Sequence, residues 1–527
     1  MDLLLNLRRT VSNFPDAPAI VDGGDVRMTW RDYDQDTRKL AAGLVELGLQ
    51  PGDRIAVLAL NSYRYAELYY WVIRMSGIIV PLNTRFSPAE HIYTINDSGA
   101  VALVIDEAFL PVLKTLAPHL PSVRHTLFAG TGDPLPGMLA YETLLERAQR
   151  WATFEDVQPA EDDVIGLFYT GGTTGNPKGV MLTHHNLSTS GMQVATTIPF
   201  PVPLNHLHVA PMFHLADGFF VFLVTMLGGC HTFLPAFDPA KVLATIQRER
   251  ITHAVLVPIM INALLHVPNL PDYDLSSLQQ VTYGASPIPV AVLKQAMELL
   301  PCRFVQAYGM TEASPVLTVH SWEAHVQGVH AEPGSPEARR LSSGGQPIIG
   351  VEVRIVDEEG KEVAAGEIGE IVARGPNVMK GYWNQAGEIA YGLRAGWLHT
   401  GDLATRDDHQ FVFVVDRKKD MIISGGENVY STEVENALYA HPAVMEAVVI
   451  GVPDPTWGER VHAVVVLKPG QQATAEELIA TCRGLIAGYK VPRSLEFTDA
   501  LPKSGAGKIL KRALREPYWE GQARQVN

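Results

Sequence analysis

Residues 169–179 place four glycines, three threonines and one lysine in an eleven-residue segment (YTGGTTGNPKG) that directly follows an apolar run. Gly171, Gly172 and Gly175 can take positive φ without the penalty a Cβ imposes, so main-chain N–H groups can converge on the oxygens of a polyphosphate. Thr170, Thr173 and Thr174 add hydroxyl donors, and Lys178 adds a mobile positive charge. The preceding Val164 to Tyr169 predicts a short buried strand, which puts the loop at a strand's carboxyl end, where open α/β sheets hold ligands. Without a ligand the same residues would make an ordinary Gly/Thr turn.

The spacing departs from GxxxxGK[ST]. Lys178 is followed by Gly179, so the loop presents no hydroxyl to magnesium, and a kinase or P-loop ATPase is disfavoured. The segment instead resembles the phosphate loop of the adenylate-forming superfamily, which includes acyl-CoA synthetases, luciferases and the adenylation domains of peptide synthetases. Other segments resemble that family in its own order: Thr29 to Tyr33, Pro51 to Arg54, Gly77 to Asn83, Pro211 to His214, Tyr308 to Glu312 and Gly345 to Pro347. Trp397 to Asp402, Asp416 to Asp420, Ser424 to Asn428 and Pro502 to Lys508 continue the series. One such match would be weak. The ordered set spans nearly the whole chain and identifies it as a member.

A length of 527 residues exceeds one core and predicts roughly three to four packing units. The net charge of −15 argues against bulk binding to nucleic acid or anionic membranes, which need basic patches. Cys230, Cys302 and Cys482 are widely spaced and fit no metal-ligand pattern, so all three read as buried small hydrophobes and the expected compartment is a reducing cytoplasm. The amino-terminal apolar stretch is too short for a signal sequence and predicts an amphipathic helix. Gly218 to Leu227, the longest apolar segment, is shorter than the ~20 residues of a membrane span. Residues 332–346, rich in Gly, Pro and Ser, predict a loop.

Up to about residue 320 short β-branched runs alternate with helix-length amphipathic segments, for example Arg54 to Leu58 and then Tyr63 to Met75, which is α/β layering. From Gly350 to Arg374 the pattern changes to strands joined by turns, with Glu358-Glu359-Gly360 as a hairpin turn and Gly366 and Gly369 as further turns. The expected organisation is an N-terminal ATP- and acyl-binding lobe over 1–415, with a small β-barrel-like subdomain from about 345 to 415. A hinge at 416–420 and a mobile α+β carboxyl-terminal domain at 421–527 follow. The resemblance puts the hinge residue two after the arginine of the DRxK motif, at Lys419.

The resemblance implies a two-step reaction. A carboxylate attacks the α-phosphate of MgATP, giving an acyl-adenylate and pyrophosphate, and a thiol then displaces AMP. It implies that Glu312 holds Mg2+, which needs only one or two protein carboxylates beside phosphate oxygens. Tyr308 would flank adenine, with Gly284, Ala285 and Gly309 around the nucleotide, and Thr311 would bond a phosphate oxygen. Asp402 would accept the ribose hydroxyls, with Arg417 approaching from the hinge, and Lys508 would bridge carboxylate and α-phosphate. His214 would orient the acid, although a lone histidine beside apolar residues is more often structural. For coenzyme A, Gly425 and Gly426 would let a pantetheine arm thread past, while Trp457, Tyr489 and Lys490 would bind its nucleotide. Val491 stands where some relatives carry arginine, which leaves the 3′-phosphate contact to Lys418, Arg460 or Lys490.

By position, the acyl pocket is expected from Phe213, His214, Val257, Met260, Gly284, Ala285, Ala307, Gly309 and Met310. No Lys or Arg falls in these stretches, so diacids are disfavoured. Ala307 and Asp217 replace glycines of relatives and are expected to narrow or polarise the bore. A medium- or long-chain fatty acid is preferred, and an aryl or arylpropenoic acid is the alternative. Loading of a carrier protein and a non-catalytic nucleotide-binding regulator are the remaining readings, the latter disfavoured by the joint presence of Lys178, Glu312, Asp402, Arg417 and Lys508. The expected partners are a small carboxylic acid, ATP and CoA, and a homodimer is compatible with the chain.

Overall fold

The computed structural model describes residues 2–22, 26–147, 151–171, 176–385, 392–503 and 509–520, which build four sheets. In the eight-stranded sheet, Val164–Thr170 runs between Lys178–Thr183 and Ile78–Pro81, followed by Arg54–Leu58 and Ala102–Ile105. Ile78–Pro81 and Ala102–Ile105 are buried at every position. Their unbroken apolar runs therefore mark parallel strands covered on both faces rather than an alternating half-exposed sheet. The nine-stranded sheet places Asn205–His208 between His253–Leu256 and Cys230–Phe233, all parallel, and reaches Gln280–Gly284 and Arg303–Tyr308 beyond His253–Leu256.

Two helices are buried along most of their length. Ser62 caps Tyr63–Arg74 by accepting the Tyr65 N–H. The guanidinium that ends this helix is fully buried but not unpaired, since Asp156 lies at 2.8 Å and Asp34 and Thr37 also hold it. Removing one partner of such an ion pair costs more than the pair gains. Leu215–Leu227 is apolar on nearly every side, as a core helix must be. The His214 ring accepts the Ala216 N–H at its start, and Gly228, at φ 68°, ends it in the left-handed region that glycine favours.

A five-stranded antiparallel sheet of Glu352–Val356, Gly369–Arg374, Leu393–Arg394, Trp397–Arg406 and Val412–Arg417 answers the expected β-rich part. Gly360 makes the hairpin turn at φ 79°, but Gly369 opens a strand, paired with Ala404, instead of turning. The carboxyl-terminal sheet combines Val444–Asp454, Gly458–Leu467 and three shorter strands with helices Ser431–Tyr439 and Ala475–Leu485. It has its own core, including Ile422, Val434, Val449, Val461 and Leu478.

Two local expectations change. Within 332–346 a short helix, Pro336–Arg340, forms because Ser335 caps it and Pro336 is compatible with a first helical turn. Arg340 anchors it to Asp407 at 2.7 Å. Cys302 and Cys482 are buried as expected, whereas Cys230 is only half-buried, at the start of its strand. No described helix is long and apolar enough to cross a membrane.

Glu67 is wholly buried, accepts from the Tyr141 hydroxyl, and is pushed by burial from 4.5 up to about 8. A carboxyl whose folded pKa exceeds its unfolded one stabilises the fold fully below the unfolded value and loses that contribution as pH rises through the folded one, at most about 5 kcal/mol here. Glu67→Gln should flatten the decline in melting temperature between pH 5 and 9 and melt above the wild type at the alkaline end. Parallel melting curves would refute this assignment.

Candidate active site

Thr170 ends the strand before the glycine-rich loop, and Lys178 is its cross-strand partner on the return strand. Gly171 is exposed, and Gly172, Thr173, Thr174 and Gly175 lie outside the described residues. Glu312 sits in the one-turn helix Thr311–Ala313 and is only 5% exposed. Its Oε1 accepts from the Tyr382 hydroxyl at 3.0 Å, with Thr170 Oγ1 at 3.5 Å. Tyr382 is carried by a two-residue strand that adds to the edge of Lys178–Thr183, and its ring lies 5.6 Å from Lys178 Nζ. Three distant segments thus meet around one buried carboxylate. Burial pulls the Lys178 amine below its ordinary value, and Glu312 opposes that shift.

A second cluster closes on Asp402. The Tyr308 hydroxyl donates to its Oδ2 at 2.7 Å, and Arg417 Nε lies 3.4 Å from Oδ1, the two residues being register partners in an antiparallel ladder. Gly309 has no room for a side chain, since a Cβ would stand 2.1 Å from the Pro315 carbonyl. Gly284 is similarly confined by the Ala307 carbonyl, and Ala285 is held at φ 67°. Thr311 is buried beside Glu312. Past Arg417 the ladder ends, and Lys419 follows in a turn, its amine pulled down by burial and by Arg417.

A cavity of about 340 Å³ is walled by His214, Val257, Met260 and Ala285 as expected, together with Ala210, Phe237 and Ile259. Phe213, Gly284, Ala307, Gly309 and Met310 are not in its wall. Phe213 is in the main core, and Ala307 and Met310 pack against it. Asp217 neither narrows nor polarises the bore, because its carboxylate is wholly buried and turned toward His206 and His208. The expectation of an uncharged lining holds for the stretches it was drawn from but not for the cavity as folded. Arg85 and Lys503 both reach the wall, and Lys503 is bonded to Glu446 at 2.5 Å. Sequence reasoning missed Arg85, two residues past the family-like Gly77 to Asn83, and Tyr382, for which no spacing gave a signal.

Gly425 and Gly426 occupy the left-handed region at φ 64° and 84°, and a Cβ on Gly425 would meet the Trp457 ring at 2.5 Å. Trp457 and Tyr489 are 41% and 40% exposed. Lys490 is committed to Glu433, with both oxygens at 2.8 Å, while the Arg493 guanidinium stacks over Trp457 at 4.2 Å. Val491 is buried in the carboxyl-terminal core. Lys508 lies outside the described residues.

The fold is that of an adenylate-forming enzyme. A family model described as AMP-binding enzyme matches residues 7–383, and one described as AMP-binding enzyme C-terminal domain matches 433–508, so the chain belongs to the AMP-binding enzyme family. It is 40% identical to a feruloyl-CoA synthase of Amycolatopsis sp, covering 96% of each chain. It is 37% identical to a long-chain-fatty-acid–CoA ligase of Bacillus subtilis, covering 98% of this chain and 94% of that one. The solved o-succinylbenzoate CoA synthetase of Bacillus subtilis, in complex with its acyl-adenylate, superposes with a TM-score of 0.83 at 28% identity over 99% of each chain.

The Glu312 and Lys178 geometry has a direct electrostatic consequence. Glu312→Gln removes the charge that favours the protonated amine, so the pH of half-maximal amine acylation at Lys178, followed by peptide mass spectrometry, should fall. A rise or no change would show that the two groups do not interact.

Proposed function

We propose that the chain is an acid–thiol ligase that joins an apolar monocarboxylic acid to coenzyme A through an acyl-adenylate. The observation that carries this reading is the largely apolar cavity walled by His214 and Ala285, in a chain whose Thr170, Lys178 and Glu312 converge as a phosphate site needs. His214 orients the acid at the cavity mouth, and Thr170, Thr311 and Lys178 hold phosphate oxygens. Glu312 suits Mg2+, since a single buried carboxylate beside hydroxyls leaves the remaining coordination to phosphate oxygens and water. Asp402 accepts the ribose hydroxyls, which requires Tyr308 to yield part of its bond, and Arg417 stays close enough to balance the carboxylate.

Lys508 supplies the positive charge between the attacking carboxylate and the α-phosphate. A unit charge ~4 Å from a phosphoryl oxygen at an effective dielectric near 20 contributes about 4 kcal/mol, roughly a thousandfold in rate. The thiol step needs no dedicated base, because a thiol of pKa ~8.5 is already a few per cent thiolate at neutral pH and the mixed anhydride is activated. Gly425, Gly426, Trp457 and Tyr489 form the thiol donor's face. The carboxyl-terminal unit from 421 onward turns about Lys419 between the two steps, and the three free cysteines suit a reducing cytoplasm.

Fatty and arylpropenoic acids are the two substrate classes in view. The cavity volume falls in the range of ordinary ligand pockets and admits either. The 40% identity to a feruloyl-CoA synthase is the observation that favours the aromatic class.

Pyrophosphate and AMP release, measured with MgATP across fatty, aryl and dicarboxylic acids with and without CoA, tests the reading. Pyrophosphate from apolar monoacids with CoA-dependent AMP release is expected, and pyrophosphate formation with no AMP release on adding CoA would point to a carrier protein as the acceptor instead. Lys508→Ala should lower adenylation about a thousandfold while leaving thioester formation from supplied acyl-adenylate intact. Gly425→Ala, which pushes a methyl into Trp457, should raise KM for CoA with adenylation unchanged. Equal loss of both half-reactions in either variant would overturn the division of roles.

A further inference from the structure

We propose that His206, His208 and Asp217 form a structural site for one divalent transition-metal ion, with zinc the best fit, beneath the helix that begins at His214. His206 and His208 are two residues apart on one strand and so face the same side of the sheet. Asp217, in the first turn of Leu215–Leu227, covers that face. All three are wholly buried, and one ligand atom from each lies within 4.8 Å of the others.

The distances suit one ion held between the three side chains. His208 Nδ1 lies 3.1 Å from Asp217 Oδ2, and His206 Nε2 lies 3.5 Å from Asp217 Oδ1. Ligands about 2.0–2.2 Å from a tetrahedral zinc stand roughly 3.3–3.6 Å apart, so the two ring nitrogens and the carboxylate can close around one ion with small shifts, the two carboxylate oxygens lying too close together to be separate vertices. His206 Nε2 and Asp217 Oδ1 make no hydrogen bond among the described residues. They face each other across 3.5 Å, longer than an ordinary N–H···O bond, and an ion between them would satisfy both.

The surrounding hydrogen bonds point outward from that gap. With both inner rings offering lone pairs to the ion, His206 Nδ1–H donates to His253 Nδ1 at 2.8 Å, and His253 Nε2–H donates to Thr282 Oγ1 at 2.9 Å. On the other side His208 Nε2–H donates to His231 Nδ1 at 2.9 Å, and His231 Nε2–H donates to Thr225 Oγ1 at 3.3 Å. The Thr225 hydroxyl passes its own proton to the Val221 carbonyl at 2.7 Å. Every ring nitrogen is then used by a neutral imidazole, and each ligand histidine donates its other N–H to a second partner, as metal-bound histidines do. Without an ion the opposite tautomers, with His208 Nδ1–H and His206 Nε2–H turned toward Asp217, carry no extra proton but take the Thr225 hydroxyl away from the Val221 carbonyl and leave the His206 contact long, at 3.5 Å. Phe220, stacked on His206 at 4.9 Å, and Phe233, on His208 at 5.0 Å, hold the rings in place and exclude water. Imidazole donors favour zinc, cobalt, nickel or copper over magnesium. The ion would fasten the central strand to the helix that carries the cavity's histidine, a stabilising rather than a chemical role.

Elemental mass spectrometry on the full, untagged chain, expressed with zinc and dialysed against metal-free buffer, should find about one zinc per chain. Chelator-stripped protein refolded with Co2+ should gain the visible bands of a tetrahedral cobalt site, and Asp217→Asn should lack them. His253→Gln, which alters only the outer ring, should keep the stoichiometry with affinity lowered about 10–100-fold. If Asp217→Asn does not fold, the cobalt titration of the wild type decides alone. A chain holding less than about a tenth of an equivalent of any transition metal, with no cobalt bands and a melting temperature unmoved by zinc, overturns the site.

Discussion

A carboxylate withdrawn from water must be answered by donors or cations, and the arrangement of this molecule follows from how three such groups are answered. Asp156 is met by Arg74 and Arg8, which ties the amino-terminal helix to the eight-stranded sheet. Glu312 is met by Tyr382 and Thr170, with Lys178 nearby, which joins the end of the nine-stranded sheet to the loop of the eight-stranded one. Asp402 is met by Tyr308 and Arg417, which brings the small antiparallel sheet onto both. The first is structural. The other two are the carboxylates that the proposed reading turns toward a nucleotide, and their present partners are groups that a ligand's own hydroxyls and phosphates can replace.

The division between rigid and adaptable parts follows from the same packing. Leu215–Leu227 and Tyr63–Arg74 are buried almost all round and cannot shift without disturbing two sheets. His214 therefore stands at the cavity on a fixed support, its ring already committed to capping the helix. Arg85 and Lys503 reach the same cavity from loops, one of them in the carboxyl-terminal part. A wall built from a fixed histidine and loop-borne cations would give the proposed reaction an apolar bore of constant shape beneath a polar mouth.

Much of this was legible in the sequence, for reasons that can be named. The strand before the phosphate loop, the helix after Ser62 and the strand-and-turn text from Gly350 carry periodicity and capping signals that depend on neighbours along the chain. Glu312, Asp402 and Arg417 were legible through motif order rather than through any local property. Tyr382, Arg85 and Lys503 were not, because their roles arise only when a two-residue edge strand and two loops fold back over the sheets. Asp217 was misread for the related reason that its position in a family-like segment says where the backbone goes but not which way a side chain turns. The histidines at 206, 208, 231 and 253 are unremarkable in a chain with 18, and only the parallel register that sets 206 beside both 231 and 253 makes them a cluster.

The same register argument bears on motion. The ladder between Trp397–Arg406 and Val412–Arg417 ends at the Asp402 and Arg417 pair, and the next sheet begins at Ile422. Lys419 thus falls in the short stretch between two sheets, where a change in φ and ψ breaks no ladder bond. What would resist a turn there is Asp416, whose carboxylate accepts from the Ser431 hydroxyl at 2.7 Å while Lys511 bonds Ser431 and reaches Glu435 at 2.8 Å. These bonds reach from the end of one sheet to the first helix of the next unit. The proposed rotation about Lys419 would therefore either carry Asp416 with the carboxyl-terminal unit, fraying its pairing with Leu403, or release Ser431. Both routes exchange one or two hydrogen bonds for hydration, a cost of about 1–3 kcal/mol, small enough for ligand binding to decide which arrangement is populated.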